Sequence, residues 1–275
     1  MKKILLPLAT CLWTFLLAFA LPVPSPAAPL STPSLSKDDA ALVAKVNSLY
    51  YNYMALGLRK FKCRVQINAF DNVVELFKSK KQENDPSYKA LKDIRFFITY
   101  SLKDGFNFNY TGYKPTGDSA TDTNLAKMLE EIHQIVDGFW KSWSSITLEP
   151  AIDTGKSAIT VSQIPSGYEI DEKKDTSLTK NFLNSDLVVT EVDGYNADKP
   201  DPIAVIKPGF TKTSNGLLLN SMKADLAQTL SENVTINYQK IQKFQFPSKV
   251  ELNLDMSAAG TKSDILLQFS DYQVN

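Results

Sequence analysis

From Ser157 to Asn275 the chain offers strands and almost nothing else. Candidate strands are Ala158–Gln163, Gly167–Lys173, Leu187–Val192, Ile203–Lys212, Gly216–Ala224, Val234–Gln242, Lys249–Met256 and Ile265–Val274. Between them lie turn-forming pieces: Pro165-Ser166-Gly167, Asp193-Gly194, Ser214-Asn215-Gly216 and Ala258-Ala259-Gly260. Closely spaced strands joined by short turns can only fold as an antiparallel meander, because parallel pairing needs long crossovers. In Lys249–Met256 the side chains separate into a dry face (Val250, Leu252, Leu254, Met256) and a wet face (Lys249, Glu251, Asn253, Asp255). One side of the sheet is therefore covered and the other meets water. In the last strand Ile265, Leu267 and Phe269 share one parity and Tyr272 and Val274 the other, which predicts a bulge near Ser270-Asp271.

The preceding part supplies the cover. Ser36 is a plausible N-cap, Asp38 and Asp39 suit a first helical turn, and Leu42, Val46, Leu49, Tyr53 and Leu56 recur at helical spacing up to Gly57. Phe61–Ala69 alternates as a strand, Asn72–Lys81 reads as a short helix, and Asp85-Pro86 opens another. Around Lys103-Asp104-Gly105 the pattern is a hairpin. Phe96, Ile98, Tyr100 and Leu102 lie on one face before the turn, and Phe106, Phe108 and Tyr110 after it. Beyond a polar loop at Asp118–Thr123, the residues Leu125, Met128, Leu129, Ile132, Ile135, Val136, Phe139, Trp140 and Trp143 form one apolar helical stripe. The expectation is one α+β domain over residues 37–275. In it a large curved antiparallel sheet, an incomplete barrel, packs on two long amphipathic helices.

The first 36 residues stand apart. A basic head, Met1-Lys2-Lys3, precedes an uncharged apolar run from Ile4 to Leu21 that ends in Ala18-Phe19-Ala20. This is the layout of a signal peptide over residues 1–20, with cleavage after Ala20 and export to the periplasm or the cell exterior. An uncleaved anchor is the alternative, although Pro7 interrupts the run. Lipidation at Cys11 fits less well, because Thr10 precedes it and the run continues past it. Residues 21–36 hold prolines at 22, 24, 26, 29 and 33 and no charge, and read as an extended tether. Removal of the leader leaves Cys63 alone. It alternates with charged neighbours beside Phe61 and Val65, as a buried thiol would.

Composition excludes more than it proposes. The whole chain has one His, 11 Gly and equal numbers of acidic and basic side chains, 30 each. That balance speaks against a nucleic-acid binder. No Gly-x-Ser-x-Gly elbow, phosphate-binding loop or Cys-x-x-Cys occurs. His133 follows Glu130 and Glu131 on the polar side of a helix and has no second His to join it, so it reads as solvated. The Asp198–Pro202 loop, the Lys78–Lys81 run and the mixed-sign group Glu169, Asp171, Glu172 and Asp175 read likewise. No enzyme, cofactor or metal site is expected.

One stretch carries a family likeness. The residues are Asp186–Val192, Ile206-Lys207-Pro208-Gly209-Phe210, Ile236-Asn237-Tyr238-Gln239, Phe246-Pro247-Ser248-Lys249-Val250 and the closing Phe269-Ser270-Asp271-Tyr272-Gln273-Val274-Asn275. Their order resembles the periplasmic lipoprotein carriers of the LolA/LolB-like superfamily, over roughly the last 90 residues. The middle helix is longer than that pattern, and the carriers' functional Arg has no counterpart here. The resemblance implies an incomplete barrel closed by helices over a cavity for acyl chains, with lipid or lipoprotein as partner and transient membrane contact. Candidate cavity residues are Phe96, Ile98, Tyr100, Phe106, Phe108, Ile132, Ile135, Phe139, Trp140 and Trp143; the two Trp residues read first as core or sheet-packing aromatics and alternatively as the mouth of an apolar cavity. The alternative is an exported structural or interaction protein with a filled core. An outer-membrane barrel is disfavoured by the long helices and by a chain ending in Asn275.

Overall fold

A computed structural model describes residues 35–155, 157–196, 200–226, 230–256 and 261–275. The segment expected to be a leader, most of the expected tether, Asp198-Lys199 and the expected turn at Ala258-Ala259-Gly260 lie outside the described residues. The elements in chain order are α1 (Lys37–Leu49), β1 (Lys60–Ile67), α2 (Asn68–Ser79), α3 (Pro86–Leu91), β2 (Arg95–Ser101), β3 (Gly105–Thr111) and α4 (Ser119–Thr147). Nine strands follow: β4 (Ala158–Ile164), β5 (Gly167–Lys174), β6 (Ser177–Asn184), β7 (Val189–Asn196), β8 (Ala204–Thr213), β9 (Gly216–Leu226), β10 (Leu230–Ile241), β11 (Phe244–Met256) and β12 (Thr261–Val274).

The protein is α+β, built on one 12-stranded sheet in the order β3-β2-β1-β12-β11-β10-β9-β8-β7-β6-β5-β4. Every pairing is antiparallel. β12 returns to pair with β1, so the meander is continued at its far side by the N-terminal strands. The sheet stays open: β3 and β4 are its two edges. They are also consecutive strands in the chain, and α4 makes the journey between them. A flat sheet of this width would place its edges about 50 Å apart at ~4.8 Å per strand. A helix of 29 residues covers roughly 43 Å of that.

The sheet curls around α4. Trp143 stands 6.5 Å, centroid to centroid, from Phe106 on β3. Its indole N–H also donates to Tyr238 on β10, 3.0 Å away. Those strands are five positions apart in the sheet, about 24 Å if flat. Side chains stand roughly perpendicular to a sheet, so one ring meets both strands only when they bend toward each other. The resulting core joins α4 with β1, β2 and β9–β12. A second, smaller core packs Val43, Val46 and Tyr50 from α1 and its exit against Ile159, Ile170, Leu183 and Val189.

The helical count needs correction. α4 is the only long helix among the described residues; α1 has 13 residues and stops at Leu49, not at Gly57. Tertiary pairing overrides the helical spacing beyond that point. Tyr50 forms a parallel bridge with Leu217, and the Tyr51 N–H donates to the Leu217 carbonyl at 2.9 Å. Tyr53 turns its hydroxyl to the Gln245 carbonyl instead of continuing the helix stripe. Gly216 makes this approach possible, because a Cβ there would lie 2.7 Å from the Leu49 carbonyl oxygen at φ +114°. Gly216→Ala is expected to cost about 2–3 kcal/mol, as backbone strain and a displaced segment act together. Urea unfolding of the variant checks it; a cost below about 0.5 kcal/mol would contradict this account.

Other expectations shift more modestly. The bulge appears where parity required it: Lys62 pairs with Gln273 and Arg64 with Ser270, and Asp271 takes φ +55°. Asp193-Gly194 is no turn; Gly194 sits inside β7, opposite Thr179 and Ala204. The polar loop before α4 is shorter, since the helix starts at Ser119 behind an Asp118 cap on the Thr121 N–H. Leu102 lies past the end of β2, and Leu102 and Tyr110 are 44% and 42% exposed rather than part of a dry wall. β6 is a strand that the hydrophobic pattern does not announce, for a reason that belongs to the site.

Candidate functional site

The ten candidate cavity residues are brought together, but as a packed core. Phe96, Ile98, Ile132, Ile135, Phe139, Trp140 and Trp143 are buried, Tyr100 nearly so, and Phe106 and Phe108 are half-buried against them. Trp140 touches the rings of Phe61, Phe106, Phe139, Trp143 and Phe269 at centroid distances of 5.1–5.5 Å. Phe96 stacks on Phe108 and meets Phe70 edge to face. Offset and edge-on aromatic pairs of this kind fill space efficiently.

An open pocket lies further along the sheet, and none of those ten residues lines it. It has a volume of about 300 Å³ and sits between the last turn of α4, the loop that follows it, Tyr50, and the inner faces of β5–β9. Its walls are largely apolar: Ile146, Val189, Val192, Ile206, Phe210 and Met222. Strand register builds this wall, since Val192 is directly opposite Ile206, and Pro208 opposite Met222. Tyr50 closes one side, its ring 5.1 Å from that of Phe210 and its hydroxyl accepting from the Val189 N–H at 2.8 Å.

One end of the pocket is polar. Glu172 on β5 accepts from the Asp153 N–H at 2.9 Å and from the Asn181 amide at 2.8 Å. Asn181 is 4% exposed and also donates to the Ile170 carbonyl at 3.3 Å. Burial pushes the Glu172 carboxyl above its ordinary range, while the two donors pull it back. Glu172 therefore faces inward with Ile170 and is not part of a solvated hairpin. Thr179 and Asn181 also line the pocket, which explains the missed strand. β6 carries polar groups at inward positions, so its alternation of apolar and polar residues disappears. The parity of Glu172 with Ile170 and the shared parity of Ile206, Pro208 and Phe210 are the sequence signals that mark this wall.

Elsewhere the chemistry is quiet. His133 lies 3.8 Å from the Glu130 carboxylate and stacks on Phe108 at 5.3 Å. Cys63 is buried, and burial pushes its thiol up to about 12, which keeps it protonated and unreactive. Among the described residues no group of His, Cys, Asp and Glu is arranged to hold a metal ion, and no helix is long and apolar enough to cross a membrane. Comparison with known proteins returned no matching family model and no matching curated protein.

Proposed function

We propose that this is an exported, non-enzymatic protein that binds lipid acyl chains, free or on a lipoprotein, in the pocket between α4 and β5–β9. The observation that carries the reading is the pocket itself: about 300 Å³ of open space with apolar walls, beside an otherwise filled core. Each methylene transferred there from water contributes about 0.8 kcal/mol, so no reactive group is needed for binding. The leader-like residues 1–20 and the likeness of the C-terminal strands to lipoprotein carriers support export and the half-barrel reading.

Displacement of a fluorescent fatty acid tests it. Val192→Trp, which fills the pocket from a half-buried position, is expected to weaken binding at least tenfold with unchanged unfolding midpoint. Mass spectrometry of protein purified from its own host should show co-purifying lipid. No lipid and no fatty-acid binding would overturn the reading. The packed state of Ile132, Ile135 and Phe139 favours a second one, an exported structural or interaction protein with a filled core. It expects Val192→Trp to change nothing but side-chain volume.

A further inference from the structure

A small polar pocket of about 70 Å³ lies on the other side of the molecule, where β1 and β2 meet α2 and the end of α3. Its charged lining is Arg64, Lys92, Arg95 and Asp71. Arg64 pairs with Phe97 across the β1–β2 ladder, so Arg95, two residues before Phe97, is its diagonal neighbour on the same face. Diagonal neighbours on a sheet have their Cβ atoms only about 7–8 Å apart. Like charges at diagonal positions of one face repel, and an anion between them relieves that repulsion.

Their donors are also incompletely used. The Nε of Arg64 is buried and has no hydrogen-bond partner among the described residues. Arg95 turns one nitrogen to the Lys92 and Ile94 carbonyls, at 3.3 and 2.8 Å, which fixes its orientation and leaves its other donors free to point elsewhere. Lys92, at the C-cap of α3, is exposed and adds a third cation. Within the lining only Asp71 offsets them. Burial raises its carboxyl pKa, Arg64 lowers it, Glu75 one turn further along α2 raises it, and Arg95 lowers it, in keeping with a carboxylate placed among these charges. Three cations against one carboxylate leave the pocket positive, and buried donors without acceptors are costly.

We propose that this pocket is an oxyanion site, in which Arg64 and Arg95 grip a phosphate or sulfate group with forked hydrogen bonds and Lys92 closes over it. A guanidinium fork matches two oxygens of a tetrahedral oxyanion, and the volume suits a single such group. The same chemistry serves free phosphate and the headgroup of an anionic phospholipid. The site is separate from the acyl pocket and does not rest on it.

Calorimetric titration of the full chain with inorganic phosphate, and sedimentation with phosphatidylglycerol or phosphatidylcholine vesicles, tests the proposal and separates the sources. Saturable phosphate binding without vesicle binding indicates the free anion; binding to phosphatidylglycerol vesicles but not phosphatidylcholine ones indicates the headgroup. In either case Arg64→Gln is expected to weaken binding at least tenfold, and Asp71→Asn to tighten it severalfold. Lys92→Gln and Arg95→Gln change exposed residues and give the same reading, each about three- to tenfold, should Arg64→Gln not fold. Absence of saturable binding to phosphate, sulfate and anionic vesicles overturns the proposal. So does binding that none of the four substitutions changes.

Discussion

Glutamine in place of Glu232 is expected to stabilise the protein by about 3 kcal/mol at pH 8 and to change little at pH 4. Glu232 lies on β10 between Leu230 and Val234, all three buried, and is opposite Ala224 on β9 and Leu254 on β11. It is 3% exposed, and its Oε2 has no hydrogen-bond partner among the described residues. Burial alone raises its carboxyl from the ordinary 4.5 to about 7. Between those two values the folded chain keeps a proton that the unfolded chain has released, so stability falls as pH rises through this window. Below it both states are protonated and nothing is lost. Above it the loss is complete, at about 1.4 kcal/mol for each pH step crossed. Urea unfolding of both proteins at pH 4, 6 and 8 checks this. Parallel curves would show that the carboxyl has a partner in solution.

Trp140→Ala is expected to cost about 3–5 kcal/mol, the range of an aromatic removed from a tight core. Trp140 is fully buried and joins α4 to rings on β1, β3 and β12. Its removal opens a cavity at the point where the curled sheet closes on the helix. The two tryptophans differ in a way that Phe substitution reads out. The Trp140 N–H has no partner among the described residues, whereas the Trp143 N–H donates to Tyr238, whose hydroxyl donates in turn to the Leu219 carbonyl. Trp140→Phe therefore loses volume but also removes an unpaired buried donor, whereas Trp143→Phe leaves a buried hydroxyl short of a donor. Equilibrium unfolding should rank Trp143→Phe as the costlier by about 1 kcal/mol; the reverse order would contradict the bonding described here.

The strands whose inward residues are apolar, such as Val250, Leu252 and Leu254 on β11, were legible because burial and alternation coincide. So was α4, whose stripe from Leu125 to Trp143 is buried throughout. Legibility failed where a local pattern met a distant partner. Tyr53 and Leu56 keep helical spacing, yet the chain leaves the helix to pair with Leu217. β6 lost its signature because Thr179 and Asn181 face a pocket.

The candidate site shows the same division. Aromatic wealth on β2, β3 and α4 pointed to a greasy interior, and Phe96, Tyr100, Phe106, Phe108, Phe139, Trp140 and Trp143 do face inward. Whether an interior is filled or hollow depends on how far the sheet curls and where the helix ends, which no periodicity encodes. Along α4 the rings of Trp140, Trp143 and Phe139 occupy the space; past Ile146 the helix stops and the sheet continues, and α1 with Tyr50 covers only part of the inner face of β5–β7, which leaves the pocket open.

Residue order alone determined an antiparallel sheet with one wet face, a long amphipathic helix and a buried Cys63. These follow from side-chain polarity at periods of two and 3.6, which is local information. The tertiary structure alone decided which strands neighbour one another, that Glu172 and Glu232 turn inward, and that Arg64 and Arg95 share a face. Those juxtapositions join residues far apart in the chain, and only packing brings them together.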